Sequence, residues 1–133
     1  MTEPSATGLT IPTIELANDL PGFPGLRRFV LVQLDSNGLL FDFRSLDDPD
    51  IRFIVVPSVA FFPDYAPEID DMTVAQLGIE SPEQAWLLLI VTVGDTSTAN
   101  LRAPLVVNLN TKAATQVVLG DDRHLLRAPL LAS

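Results

Sequence analysis

At 133 residues the chain has the length of one domain with room for its own core. A hydrophobic fraction of 47% speaks against disorder, and the absence of cysteine excludes disulfides, thiolate metal sites and a cysteine nucleophile. The formal net charge of −9, with only eight Lys and Arg, excludes the basic stripe that phosphate-backbone binding requires and favours a cationic partner drawn in by the protein's field.

Residues 1–8 are small and polar and are expected to form a flexible N-terminus ahead of a single domain over residues 9–133. They carry no secretory-signal pattern, and no apolar run reaches the roughly 18 residues needed to span a bilayer, so the expectation is a soluble, cytoplasmic protein. Leu9 to Leu16 reads as an edge strand because Pro12 interrupts it. After the turn-rich Leu20-Pro21-Gly22-Phe23-Pro24-Gly25, the run Phe29 to Leu34 reads as a strand. Asn37-Gly38 is a strong hairpin signal, and Leu39, Phe41 and Phe43 then alternate with Asp42 and Arg44, the period of a half-buried strand. Asp47-Asp48-Pro49-Asp50 turns the chain into a further strand over Ile51 to Val56.

Between Arg52 and Arg102 there is no Lys or Arg. This stretch contains Phe61-Phe62-Pro63-Asp64-Tyr65-Ala66-Pro67-Glu68-Ile69-Asp70-Asp71. Two prolines there fix φ and remove backbone donors, which predicts an extended, irregular segment that suits a docking surface. Thr73 to Gly78 is expected to form one or two helical turns, capped by Thr73 or Asp71 and stopped at Gly78. Ser81-Pro82-Glu83 starts a second short helical piece. The apolar run Ala85 to Val93, β-branched at its end, reads as a central strand. Leu105 to Leu109 and Thr115 to Leu119 form a hairpin around Asn110-Thr111-Lys112. Seven strands with short helical insertions and no βαβ repeat make the fold all-β, a small antiparallel β-barrel-like domain or a sandwich.

Catalytic and metal chemistry find little support. The only histidine, His124, stands among Asp121, Asp122 and Arg123 without a Gly-x-Ser-x-Gly elbow elsewhere, and reads as a surface or structural residue. Asp35-Ser36-Asn37-Gly38 begins like a calcium loop, but its glycine comes too early and the closing glutamate is missing. Asp47, Asp48 and Asp50 could clamp a hard cation, although a solvated turn capped by Asp47 explains them as well. No catalytic residue, metal site or cofactor is assigned. The alternative reading is a small-ligand-binding or hydrolytic β-barrel using clustered carboxylates, which requires a polar pocket inside the barrel with at least two converging acids. A third is a subunit that self-associates through its acidic loop.

Leu20-Pro21-Gly22-Phe23, Phe29-Val30-Leu31, Ser45-Leu46-Asp47-Asp48-Pro49-Asp50-Ile51-Arg52-Phe53 and Phe62-Pro63-Asp64-Tyr65 resemble segments of the flagellar assembly factor FliW family. The resemblance continues through Leu77-Gly78-Ile79-Glu80-Ser81-Pro82-Glu83, Thr98-Ala99-Asn100-Leu101-Arg102-Ala103-Pro104 and Gln116-Val117-Val118-Leu119, with Asn108 and Thr111, and covers roughly residues 9 to 125. It implies a cytoplasmic, non-enzymatic β-barrel protein that binds flagellin before export. It further implies that the free protein binds the RNA-binding translational regulator CsrA, away from the RNA-gripping face, and thereby relieves repression of flagellin translation. The acidic charge fits a basic regulator as partner and requires no site for RNA itself. The sequence departs from the family at Pro24, where an acidic residue is common, in the hairpin Lys112-Ala113-Ala114-Thr115, and at His124-Leu125-Leu126-Arg127. No contact is carried over from that C-terminal edge.

Expected partner-binding residues are Phe61, Phe62, Asp64, Tyr65, Glu68, Asp70 and Asp71, with Asp47, Asp48, Asp50 and Asn100 beside them. Neighbours in an extended chain point opposite ways, so one of Phe61 and Phe62 is expected inside and the other available. Tyr65 is expected to be the exposed anchor, the carboxylates the steering rim, and Asn100 a turn residue or a specificity contact.

Overall fold

The computed structural model of the chain describes residues 10–20, 22–119 and 127–130. Its strands are β1 (Thr10–Leu16), β2 (Arg28–Gln33), β3 (Phe41–Ser45), β4 (Arg52–Pro57), β5 (Ala85–Thr92), β6 (Thr98–Ala99), β7 (Leu105–Asn108), β8 (Ala113–Gln116) and β9 (Ala128–Pro129). Between β4 and β5 lie two short helices, α1 (Ser58–Phe61) and α2 (Asp71–Leu77), and a 3₁₀ turn, Pro82–Gln84. The order β4-β3-β2-β1-β8-β7-β5 returns to β4 through the β4–β5 pairing, which closes a seven-stranded barrel. The sandwich alternative is therefore excluded, and closure leaves no unpaired edge around the ring. The seven barrel strands are those expected from the sequence; β6 and β9 are additional, two residues each, and extend the sheet from β5.

Among the described residues every strand pairing is antiparallel except β1 with β8, where Glu15 faces Ala113 and Leu16 faces Ala114. β1 is thus not an edge strand: its second half has a neighbour on both sides. Proline still fits, because Pro12 falls where the β1–β2 register shifts between Ile11 and Ile14 and outside the β8 pairing. Thr13, in the same irregularity, has φ +47°. β8 begins and ends earlier than expected because Lys112, at φ +67°, ends the turn and Ala113 already pairs.

Strand alternation divides the apolar residues into two sets. The inward set fills the barrel: Ile14, Leu16, Phe29, Leu31, Phe41, Phe43, Val55, Leu88, Leu105, Val107 and Ala114 are all buried. Phe29 and Phe43 stack with centroids 4.3 Å apart, and Trp86 meets Phe41 edge-on at 5.4 Å. No carboxylate belongs to this interior among the described residues, so the acid-lined internal pocket demanded by the hydrolytic reading is absent there. A second cluster lies on the outer face of β4, β5 and β6, built from Val56, Leu89, Val91 and Ala99. The connection between β4 and β5 folds over this outer face.

Two expectations fail here. The alternation read over Phe41 to Arg44 implied a solvated polar face, but Asp42, on the outward side between Phe41 and Phe43, is fully buried. Arg44 and Arg52 close over it, as described below. The segment starting at Phe61 is also not wholly irregular, since Phe61 ends the helical turn α1 and Phe62 donates its N–H to the Ser58 carbonyl. The stretch Ser58 to Phe62 between Pro57 and Pro63 has room for one turn. Pro63 then prevents its continuation. The expectations placed on residues 1–8 and on His124 lie outside the described residues.

Candidate interaction surface

The β4–β5 connection, residues 57–84, holds six carboxylates and no Lys or Arg. Its course is set by apolar anchors at its start. Phe61, Phe62 and Tyr65 all pack against the outer cluster, and all three are half-buried. The expected division into one inward and one available phenylalanine is thus corrected. Helical backbone at Phe61 and the irregular backbone at Phe62, φ −136° and ψ 71°, break the strand alternation, and both rings reach the same cluster.

Tyr65 is corrected as well: it is not a free anchor. Its hydroxyl donates to the Leu101 carbonyl at 2.5 Å, and burial pushes its pKa up to about 12. It fastens the acidic connection to the segment after β6. Asn100 belongs to the same corner: its Oδ1 accepts from the N–H groups of Arg102 and Ala103, an Asx-type turn.

Past Tyr65 the chain reaches α2. The cap residue is Asp70, one position before the earlier of the two expected caps, with extended backbone at φ −67° and ψ 157°. Its carboxylate accepts from the Thr73 hydroxyl, and its backbone carbonyl from the N–H of Val74. Gly78 ends the helix at φ +68°, as expected, a left-handed conformation that glycine adopts without a Cβ penalty. Asp71 occupies the first turn, where the helix end favours an anion.

Only one α2 residue is buried, Leu77. The helix is held instead by polar ties to the barrel. Asn108, buried on β7, donates Nδ2 to the Leu77 carbonyl at 2.7 Å, while its Oδ1 accepts from the N–H groups of Asn110 and Thr111. Asn18 donates to Gln76 and to Thr115, joining the loop after β1 to the helix and to β8. Between the connection and strands β5 and β7 an apolar crevice of about 400 Å³ remains, lined by Ile69, Val74, Ile79, Ala85, Leu87 and Val106.

Asp64, Glu68, Asp70 and Asp71 are all exposed, so the structure places the expected rim on one continuous surface segment. Glu68 and Asp70 share a second, polar depression of about 410 Å³ with Asn18, Thr73 and the end of β8. Two apolar side chains that sequence reading passed over belong to the same surface: Met72 is 78% exposed and Val59 69%. Met72 sits on α2 between Asp71 and Thr73, and only its helical placement marks it as outward.

The other acids expected at this surface have internal duties. Asp47 accepts from the backbone N–H of Arg27 and Arg28 and from the Arg28 guanidinium at 2.9 Å; these bonds, the Arg28 N–H first, hold its pKa below the usual carboxylate range. Asp48 accepts from the Asp50 N–H, and Ser45 Oγ accepts from those of Asp47 and Asp48. Asp47, Asp48 and Asp50 therefore belong to a structured corner between β3 and β4 and not to the acidic connection. Asp35 spends its carboxylate on the N–H groups of Leu39 and Leu40. No three His, Cys, Asp or Glu side chains come together as a metal site among the described residues. No described helix is long and apolar enough to cross a membrane.

Comparison with known proteins places this geometry in a family. The sequence model of the FliW protein family matches residues 5–130. A flagellar assembly factor FliW from Symbiobacterium thermophilum is 42% identical over 120 residues, covering 87% of each chain. Its counterpart from Bacillus licheniformis is 38% identical over 121 residues, covering 89% of this chain and 85% of that protein. Among solved structures, a crystal structure of the flagellar assembly factor FliW superposes with a TM-score of 0.84 at 30% identity, covering 91% of this chain and 86% of the other.

Proposed function

This chain belongs to the FliW family, and from that premise we propose that it is a non-catalytic, cytoplasmic flagellar assembly factor that binds flagellin before export. When free of flagellin it binds a CsrA-type RNA-binding regulator and antagonises it, so that flagellin export feeds back on flagellin translation. The observation that carries the reading is the acidic connection itself: six carboxylates with no basic residue, laid over the barrel beside an apolar crevice. Such a surface suits a partner with basic side chains flanking an apolar stripe.

Roles follow from placement. Asp64, Glu68, Asp70 and Asp71 steer the partner, and Met72 with the crevice beside it provides apolar grip. Phe61, Phe62 and Tyr65 act indirectly by holding the connection on the barrel. Asp47, Asp48, Asp50 and Asn100 shape the corners that bound it.

The reading is tested by mixing the purified chain with flagellin and with a CsrA-type regulator and measuring association rates at increasing salt. Binding to both, mutually exclusive and slowed by salt, is the expected result. Failure to bind either protein overturns it, and binding that ignores salt removes the steering role of the acids.

A further inference from the structure

The outer face of β3 and β4 carries an arrangement of the opposite charge. Asp42 is completely buried there, yet its neutralising partners are not. Arg44 approaches Oδ2 with Nη2 at 2.7 Å and Nε at 3.1 Å. Arg52 approaches Oδ1 with Nε at 3.2 Å and Oδ2 with Nη2 at 2.9 Å. The two arginines are register partners on adjacent strands, so their guanidinium groups lie side by side. Their side chains stay 44% and 55% exposed.

Balancing one carboxylate takes one guanidinium. The second leaves a local charge of +1 on a chain whose total is −9. Arg44 spends its Nε and one Nη2 hydrogen on Asp42, and Arg52 spends its Nε hydrogen with Nη2 in ion-pair contact, which leaves the Nη1 hydrogens of both directed elsewhere. The buried carboxylate thus tethers two flexible cations side by side, removing in advance part of the side-chain entropy that normally weakens an exposed ion pair. Val30, register partner of Arg44, and Val32, register partner of Asp42, form a half-buried apolar floor alongside.

We propose that Arg44 and Arg52, held by Asp42, form a carboxylate-recognition site for an acidic, extended segment of a partner protein, separate from the acidic connection. The site lies at the opposite end of β4 from α1, the helix that opens the acidic connection. A protein carboxylate is favoured over nucleic acid because a polyanion would meet the field of the whole −9 chain, whereas one or two acids meet mainly the paired guanidiniums. The inference does not rest on the flagellar reading, and its test uses neither of those partners.

The experiment is titration of the protein with a short peptide carrying two glutamates in an otherwise neutral chain, acetyl-Gly-Glu-Gly-Glu-Gly-amide, following the Nε–Hε NMR signals of the arginines. Those of Arg44 and Arg52 are expected to move together and saturably, while those of Arg27 and Arg28 move less. Arg44→Gln and Arg52→Gln, each of which leaves Asp42 one guanidinium, should each weaken the peptide about two- to fivefold, the scale of a single exposed ion pair. Arg44→Lys, which keeps the charge but loses the fork, should fall between. An amide spectrum unchanged outside the strands around the site shows that each variant is folded. Absence of movement overturns the proposal, as does equal movement with inorganic phosphate at the same concentration. Tighter binding of a single-stranded oligonucleotide at the same two signals overturns it in favour of phosphate recognition.

Discussion

Asn108 and Leu77 are 31 residues apart in sequence, yet the amide of one donates to the main-chain carbonyl of the other at 2.7 Å inside the protein. That carbonyl is one of the last in α2, where no later helical N–H can reach it. One side chain on the barrel thereby completes the helix that carries the acidic rim, and with its other atom it shapes the β7–β8 turn.

Asn108→Ala should accordingly strand a carbonyl and two N–H groups together. The expected loss is about 2–3 kcal/mol, the penalty for buried polar groups left without partners. In thermal unfolding this appears as a Tm lower by roughly 6–12 °C. A change of less than about 0.5 kcal/mol would show that water replaces the amide and that α2 is not held from β7.

Tyr65→Phe tests the opposite end of the connection. Removing the hydroxyl loses its bond to Leu101, worth about 1 kcal/mol at neutral pH. The pH dependence has a definite sign. The folded pKa is raised to about 12, so the stabilisation is complete below the unfolded value near ~10 and is lost as pH rises toward the folded one. Urea midpoints of the wild type should fall across this window, and those of Tyr65→Phe should fall less. Equal slopes would mean that the hydroxyl titrates as it does in water.

Charge reversal of Asp64, Glu68, Asp70 and Asp71 to lysine should act on rate. Association with a basic partner should slow severalfold at low salt, and its dependence on salt from roughly 50 to 500 mM should flatten, while dissociation changes little. Stopped-flow mixing separates the two. An effect confined to dissociation would make these acids contact residues instead of steering ones.

Met72→Glu probes grip without touching the core. Because the side chain is 78% exposed, stability should change by no more than about 0.5 kcal/mol. Affinity for flagellin or the CsrA-type regulator should drop by about 1–3 kcal/mol if the methionine enters the contact, as calorimetry would show. An unchanged affinity places the contact elsewhere on the connection.

The arginine clamp makes a thermodynamic prediction of its own. Arg44→Gln with Arg52→Gln leaves Asp42 buried with no cation and should cost about 3–5 kcal/mol. Each single substitution should cost far less, because one guanidinium remains. Chemical denaturation of the three variants measures the difference; additive losses would mean that the two arginines do not share the carboxylate.

The seven barrel strands could be read from the chain because their signals are local. Asn37-Gly38 marks its hairpin, and β5 is long, apolar and β-branched. What escaped depends on three-dimensional company. β6 and β9 have two residues each, too few for any periodicity, and exist because Thr98 and Ala99 find Pro129 and Ala128 across space. Asp42 looked solvated because alternation gives the face of a strand but not what closes over that face. Tyr65 looked exposed for a related reason: acids beside it suggested solvent, whereas a carbonyl 36 residues away accepts its hydroxyl. The acidic rim was legible, since proline and charge keep a segment at the surface wherever the rest of the fold goes. Met72 was missed because a lone apolar residue among acids carries no pattern.

The parallel seam of β1 against β8 has a consequence for how the molecule comes into being. Its partners are nearly a hundred residues apart, so the ring cannot shut on a ribosome until β8 has left the exit tunnel. Until then Ile14 and Leu16 have β2 on one flank and no strand on the other. β8 also carries Thr115, which fixes Asn18 in turn against α2. The acidic surface therefore cannot reach its final form before β8 has emerged, and a chain truncated before residue 113 would display the charges without the scaffold that orders them.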